Sequence, residues 1–200
     1  MKSRAGKDTL VENGGYPAVF KGAELYRALQ YGGENYEANM TLNWSLGVDE
    51  SGKEVIYRDS FITLPTDEDG YPMMKGSKSK LYNRIMVLVG KQFKPEDVGR
   101  DFELEYKTPE EWDSPEAWQE LPTFEDIRNG ADAIPMQILI DGKDAAGTNV
   151  YLEIGHAEKP DGSFSERQSI VRASIPAKNK LKPVAIKPIS QDEGVEALPV

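Results

Sequence analysis

The chain has 200 residues, no cysteine and one histidine, His156, which excludes disulfides, thiolate metal sites and thiol catalysis. Its 38% hydrophobic content suits one soluble domain with appendages, and no window reaches the roughly 20 apolar residues of a bilayer helix. The net charge of −10 argues by itself against nucleic acid, yet that charge is segregated along the chain. Residues 71–100 carry Lys75, Lys78, Lys80, Arg84, Lys91, Lys94 and Arg100 against only Glu96 and Asp97, and residues 107–133 are as strongly acidic.

Residues 1–15 read as a flexible arm, and their basic start lacks the apolar stretch of a secretory signal. Residues 16–30 suit a first strand bent near Gly22, although Leu25, Ala28 and Leu29 also fit a helical period. From Ala38 to Val48 the apolar residues Met40, Leu42, Trp44 and Leu46 alternate with polar ones, as in a half-buried strand. Turn formers at 49–53 lead to a second strand over 55–64, which makes a hairpin. Period two would place Tyr57, Asp59 and Phe61 on one face. A loop with Tyr71 and a serine- and lysine-containing segment follow. Next comes a helix with the stripe Leu81, Ile85, Leu88 and Val89, ending at Gly90.

Phe102, Leu104 and Tyr106 alternate as another strand. Residues 107–133 then read as an acidic insertion held down by Trp112 and Trp118, with a turn of helix after Ser114-Pro115. Strands resume near residues 134–143, 147–155 and 169–174, and residues 175–200 are expected to form a disordered tail. The fold expected is mainly β: a five- or six-stranded, OB-like Greek-key barrel spanning residues 16–174, with one helix after the third strand.

Single strands bind where a cationic groove follows the phosphates and aromatic faces stack the bases, each stack contributing about 1–3 kcal/mol. Trp44, Tyr57, Phe61, Tyr71 and Tyr82 are the candidate rings, and Arg58, Lys75, Lys78, Lys80 and Arg84 the candidate cations. The competing reading makes the rings core and the lysines a solvated face. Residues 76–79, Gly-Ser-Lys-Ser, lack the glycine and lysine order of a phosphate loop. His156 alone makes no metal site, and no nucleophile–base pair or preorganised carboxylate pair is visible. Neither an enzyme nor a cofactor is therefore expected, and a reducing, cytoplasmic setting is.

In strand order, in the helix after Leu64 and in the run from Gly76 to Arg84, the chain resembles the single-stranded DNA-binding proteins of bacteriophages over residues 16–173. The resemblance implies an oligonucleotide-binding barrel that protects single strands in DNA replication or recombination, in the host cytoplasm. It also implies an acidic C-terminal tip contacting replication or recombination proteins; here Asp192, Glu193, Glu196, Leu198, Pro199 and Val200 match that tip loosely. A homo-oligomer is compatible with this reading. The alternative is a structural, assembly or inhibitory protein that binds a basic partner through its acidic, Trp-containing insertion.

Overall fold

The computed structural model describes residues 10–29, 32–64, 68–69, 80–90, 104–158, 161–176, 186 and 188–189. The chain is mainly β, an open, curled antiparallel sheet of eight strands organised around one long strand, β2 (Gly14–Leu29). Its entire partner along one edge is β3 (Tyr36–Val48), which pairs in turn with β4 (Glu54–Thr63). The other edge of β2 is divided. Residues 14–19 pair with β8 (Asn149–Glu158), and residues 23–25 pair with β6 (Ile134–Ile140). Between the two halves the register shifts at Phe20/Gly22, where Gly22 has φ 133°, a region that favours glycine. The bend expected near Gly22 is therefore a β-bulge, and it lets one strand serve two directions of sheet.

On β6 lie β5 (Leu104–Lys107) and the short β7 (Lys143–Asp144); on β8 lies β9 (Phe164–Ser174). Among the described residues β4 pairs only with β3, and β9 only with β8, so the sheet curls without closing by backbone hydrogen bonds. The helix expected after the hairpin, α1 (Lys80–Val89), fills the interior: Leu81, Tyr82 and residues 84–88 are all buried, and Gly90 ends it at φ 75°. Ser77 and Ser79, either of which could cap it by sequence, lie outside the described residues.

One charged pair enters this core. Asp59 of β4 is 3% exposed and faces inward opposite Leu42. Arg84 of α1 donates from Nε to Asp59 Oδ2 (2.7 Å) and from Nη2 to the Ile170 carbonyl of β9 (3.0 Å). A single guanidinium thus joins two strands that share no backbone hydrogen bond. Lys80 adds a second ion pair to Asp59, at 2.5 Å.

The acidic insertion is more structured than one turn of helix. A 3-10 turn (Glu110–Trp112) leads to α2 (Pro115–Glu120), with Ser114 as N-cap and proline in its first turn as expected. A further helix, α3 (Phe124–Arg128), begins with a reciprocal capping box between Thr123 and Asp126. Trp118 is buried in the main core and Trp112 packs half-buried against it, so both act as anchors. Phe124 and Ile127 cover Tyr26 and Ala28 on the opposite face of β2, forming a second, small core.

Within the expected arm and tail, a few described residues are held in place. Val11 is fully buried, and β1 (Leu10–Val11) pairs with β10 (Pro188–Ile189). Ile186 is buried too and bridges Asp49. Hydrophobic burial and backbone pairing fix these residues despite a proline-rich, polar composition. No helix among the described residues is long and apolar enough to cross a membrane.

Candidate nucleic-acid interface

The outward face of β2, β3 and β4 begins with the polar positions of the alternating strand. Asn39, Thr41, Asn43 and Ser45 point away from the core that holds Met40, Leu42, Trp44 and Leu46. Asn43 stands opposite Arg58, and Thr41 stands beside Glu24. Arg58 Nη2 reaches across β3 to Glu24 Oε2 at 2.5 Å, and Thr41 Oγ1 donates to Ser60 Oγ at 3.1 Å. Asn39, Thr41 and Ser45 are buried although they face away from the core, and Asn43 is partly exposed.

A second β-bulge changes what β4 presents. Met40 pairs with Ile62 but Leu42 with Asp59, so Thr41 alone faces both Ser60 and Phe61. Phe61 takes up the extra residue at φ 57°, a conformation costly for a bulky side chain. Its amide donates to Tyr26 Oη at 2.8 Å, and its ring lies 4.6 Å from Phe124 and 6.2 Å from Tyr26. Aromatic pairs of this kind contribute about 0.5–1.5 kcal/mol each beyond their burial. The ring remains 43% exposed. Expected on one face with Tyr57 and Asp59, Phe61 instead lies on the opposite one: the inserted residue reverses the alternation, returning Ile62 and Leu64 to the core.

Burial corrects several other expected roles. Trp44 is wholly inside, its ring 5.1 Å from Phe20, and its Nε1 has no hydrogen-bond partner among the described residues. Tyr57 and Tyr82 are 5% and 7% exposed, so neither ring nor that of Trp44 offers a face to a base. Arg84 is engaged by Asp59 and Ile170 and has no surface for a phosphate. Arg58 and Lys80 stay within reach of solvent. Lys80 Nζ bonds Asp59 and the Ser60 carbonyl (2.9 Å) while its side chain is 38% exposed. Asp59 with Lys80 and Arg84 leaves one surplus positive charge, and Lys80 is where that surplus meets water. Tyr71, Lys75 and Lys78 lie outside the described residues, as do Asp192, Glu193, Glu196, Leu198, Pro199 and Val200.

Residues not singled out from the sequence contribute to this face: Tyr26 and Phe124 support Phe61, and Thr123 with Asp126 start the helix that carries Phe124. The Asp126 carboxyl lies below its ordinary range, chiefly because the Thr123 hydroxyl donates to it. His156 is exposed on β8, where Nδ1 donates to the Ser165 carbonyl at 2.7 Å. In comparison with known proteins, the chain matches no family model, no curated protein and no solved structure.

Proposed function

We propose that this protein is a non-enzymatic binder of single-stranded DNA that protects it during phage replication or recombination, and that its curled sheet is an OB-like Greek-key barrel. The observation that carries the reading is Phe61, a half-exposed ring on an otherwise polar strand face, held outward in a costly backbone conformation by Tyr26 and Phe124. Backbone held in a sparsely populated region is a recurrent mark of functional sites. Arg58 lies on the same strand, Lys80 bonds the carbonyl of the preceding residue, Ser60, and the lysine-bearing segment 71–80 follows in sequence. A base stacks on Phe61 while phosphates run towards Lys80 and the lysines before it. The barrel reading is supported by α1, which follows the third long strand and links the β4 and β9 edges through Arg84. Residues 192–200 then serve as the contact for replication or recombination proteins.

Anisotropy of a labelled oligo-dT tests this. Binding saturates at low ionic strength and falls steeply as salt rises. Phe61→Gly removes the ring at a position whose φ glycine adopts freely, and weakens binding about 5- to 100-fold. Absence of salt-sensitive binding at low ionic strength overturns the proposal.

A further inference from the structure

The sequence holds two Asn-Gly pairs, Asn13-Gly14 and Asn129-Gly130. Before glycine, which has no Cβ, an asparagine side chain faces the least shielded amide nitrogen a chain can offer. Both pairs are exposed, but the fold holds them differently. Asn13 is tied down. Its Oδ1 accepts from Gln168 Nε2 at 3.0 Å, its Cγ packs over Gly155, and Gly14 opens β2 opposite Ile154.

Asn129 is held by much less. It is the C-cap of α3, a helix of five residues, and its carboxamide makes no hydrogen bond among the described residues. Gly130 has φ 108°, and a Cβ placed on it would meet nothing within 4 Å. Two backbone bonds close the turn: the Gly130 N–H donates to the Ile127 carbonyl at 3.1 Å, and the Ala131 N–H to that of Asp126 at 2.9 Å. Rotation about the Asn129 ψ, 1° in the folded turn, aligns the Gly130 nitrogen with Asn129 Cγ and breaks those two bonds. Opening one terminal turn costs far less than freeing a residue bound into a sheet.

We propose that Asn129 is a site of spontaneous covalent modification, and that its conversion to aspartate and isoaspartate loosens α3 from Tyr26 and Phe61. The Gly130 amide nitrogen gives up its proton and attacks Asn129 Cγ. The N–Cγ bond forms, the Cγ–Nδ2 bond breaks, and ammonia leaves with a proton from solvent, closing a succinimide. Water then opens either ring C–N bond. One opening yields aspartate; the other yields isoaspartate, whose main chain runs through Cβ and Cγ and is one atom longer. Both products set a carboxylate at the C-terminal end of α3, where the helix dipole disfavours negative charge. The longer chain also takes the Gly130 and Ala131 donors away from the Ile127 and Asp126 carbonyls. Ile127 and Phe124, the residues that cover Tyr26 and reach Phe61, lie on that helix. The site would thus age the support of the Phe61 ring, and only a resulting loss of DNA binding rests on the single-strand reading.

The test incubates the full-length chain at mildly alkaline pH and follows both pairs by peptide mass mapping, with isoaspartate detected by enzymatic methylation. Asn129 should convert about tenfold or more faster than Asn13, because its turn opens at smaller cost. Hydrogen exchange at Ile127 and Arg128 should accelerate in step with the isoaspartate content. The variant Asn129→Gln, which closes the ring far more slowly, should keep its original exchange rates over the same period. Equal conversion at Asn13 and Asn129, an Asn129 that stays intact, or conversion without faster exchange in α3 would each overturn the proposal. No nucleic acid enters these measurements, so a failure to bind oligo-dT leaves the inference standing, and a chain that binds oligo-dT while Asn129 stays intact sinks it alone.

Discussion

Two places on β4, two residues apart, reverse the ordinary assignment of side chains. Asp59 carries a charge into the core and Phe61 carries a ring out of it. The inner site is compensated: two cations meet Asp59, and Arg84 goes on to the β9 backbone. A buried charge so paired fixes which edges face each other, whereas removing one partner leaves an ion without compensation. The outer site is compensated by neighbours on other elements, Tyr26 of β2 and Phe124 of α3, which hold a ring that remains partly in water. The inner exception therefore serves architecture, and the outer one has exposed surface left for something else.

The largest expected effect breaks the inner site. Arg84→Met should cost about 3–5 kcal/mol in urea unfolding, towards the lower end because Lys80 still meets Asp59. A loss below about 1 kcal/mol would mean the seam between β4 and β9 does not depend on this guanidinium. Next, Ile127→Ala should cost about 2–4 kcal/mol. Trypsin cleavage after Arg128 should then accelerate while the main core stays protected, which separates the support of Phe61 from the rest.

Tyr106 gives a third contrast, a buried hydroxyl with no hydrogen-bond partner among the described residues. Burial pushes its phenol up to about 12. The stability tied to the neutral phenol is fully present below the unfolded value of about 10 and is lost as pH rises towards about 12. Tyr106→Phe should add about 1 kcal/mol at neutral pH and reduce this alkaline loss, measured by denaturation at pH 7 and above pH 10. The smallest effect lies at the start of α3. Thr123→Ala should cost about 1 kcal/mol through the lost cap. Because the Asp126 carboxyl is depressed, its contribution is present above its unfolded value and lost as pH falls through the folded one. The variant's acid unfolding curve should therefore be shallower.

The alternation from Ala38 to Leu46, the turn at Asp49, the bend at Gly22 and the helix end at Gly90 were all legible, because each follows from local periodicity or from glycine's freedom at positive φ. The bulge at Phe61 was missed because a period-two reading assumes no inserted residue. The signal was present: Val55 and Tyr57 put the apolar phase on odd positions, and Ile62 and Leu64 put it on even ones. Arg84 read as a surface cation since its partner, Asp59, lies on another element 25 residues away. A lone aspartate within the apolar run from Val55 to Leu64 was the available hint. The Thr123/Asp126 box could also have been found from spacing.

Consider β2 during synthesis on the ribosome. It leaves the exit tunnel before β3, β6 and β8, and β8, which pairs with its first half, is made only after residue 148. At roughly 5–20 residues per second that interval is on the order of ten seconds. Throughout it, the nascent chain displays an unfinished, largely apolar edge. Slow, chaperone-sensitive maturation, with misassembly between neighbouring chains as the competing outcome, follows from giving one early strand such late neighbours.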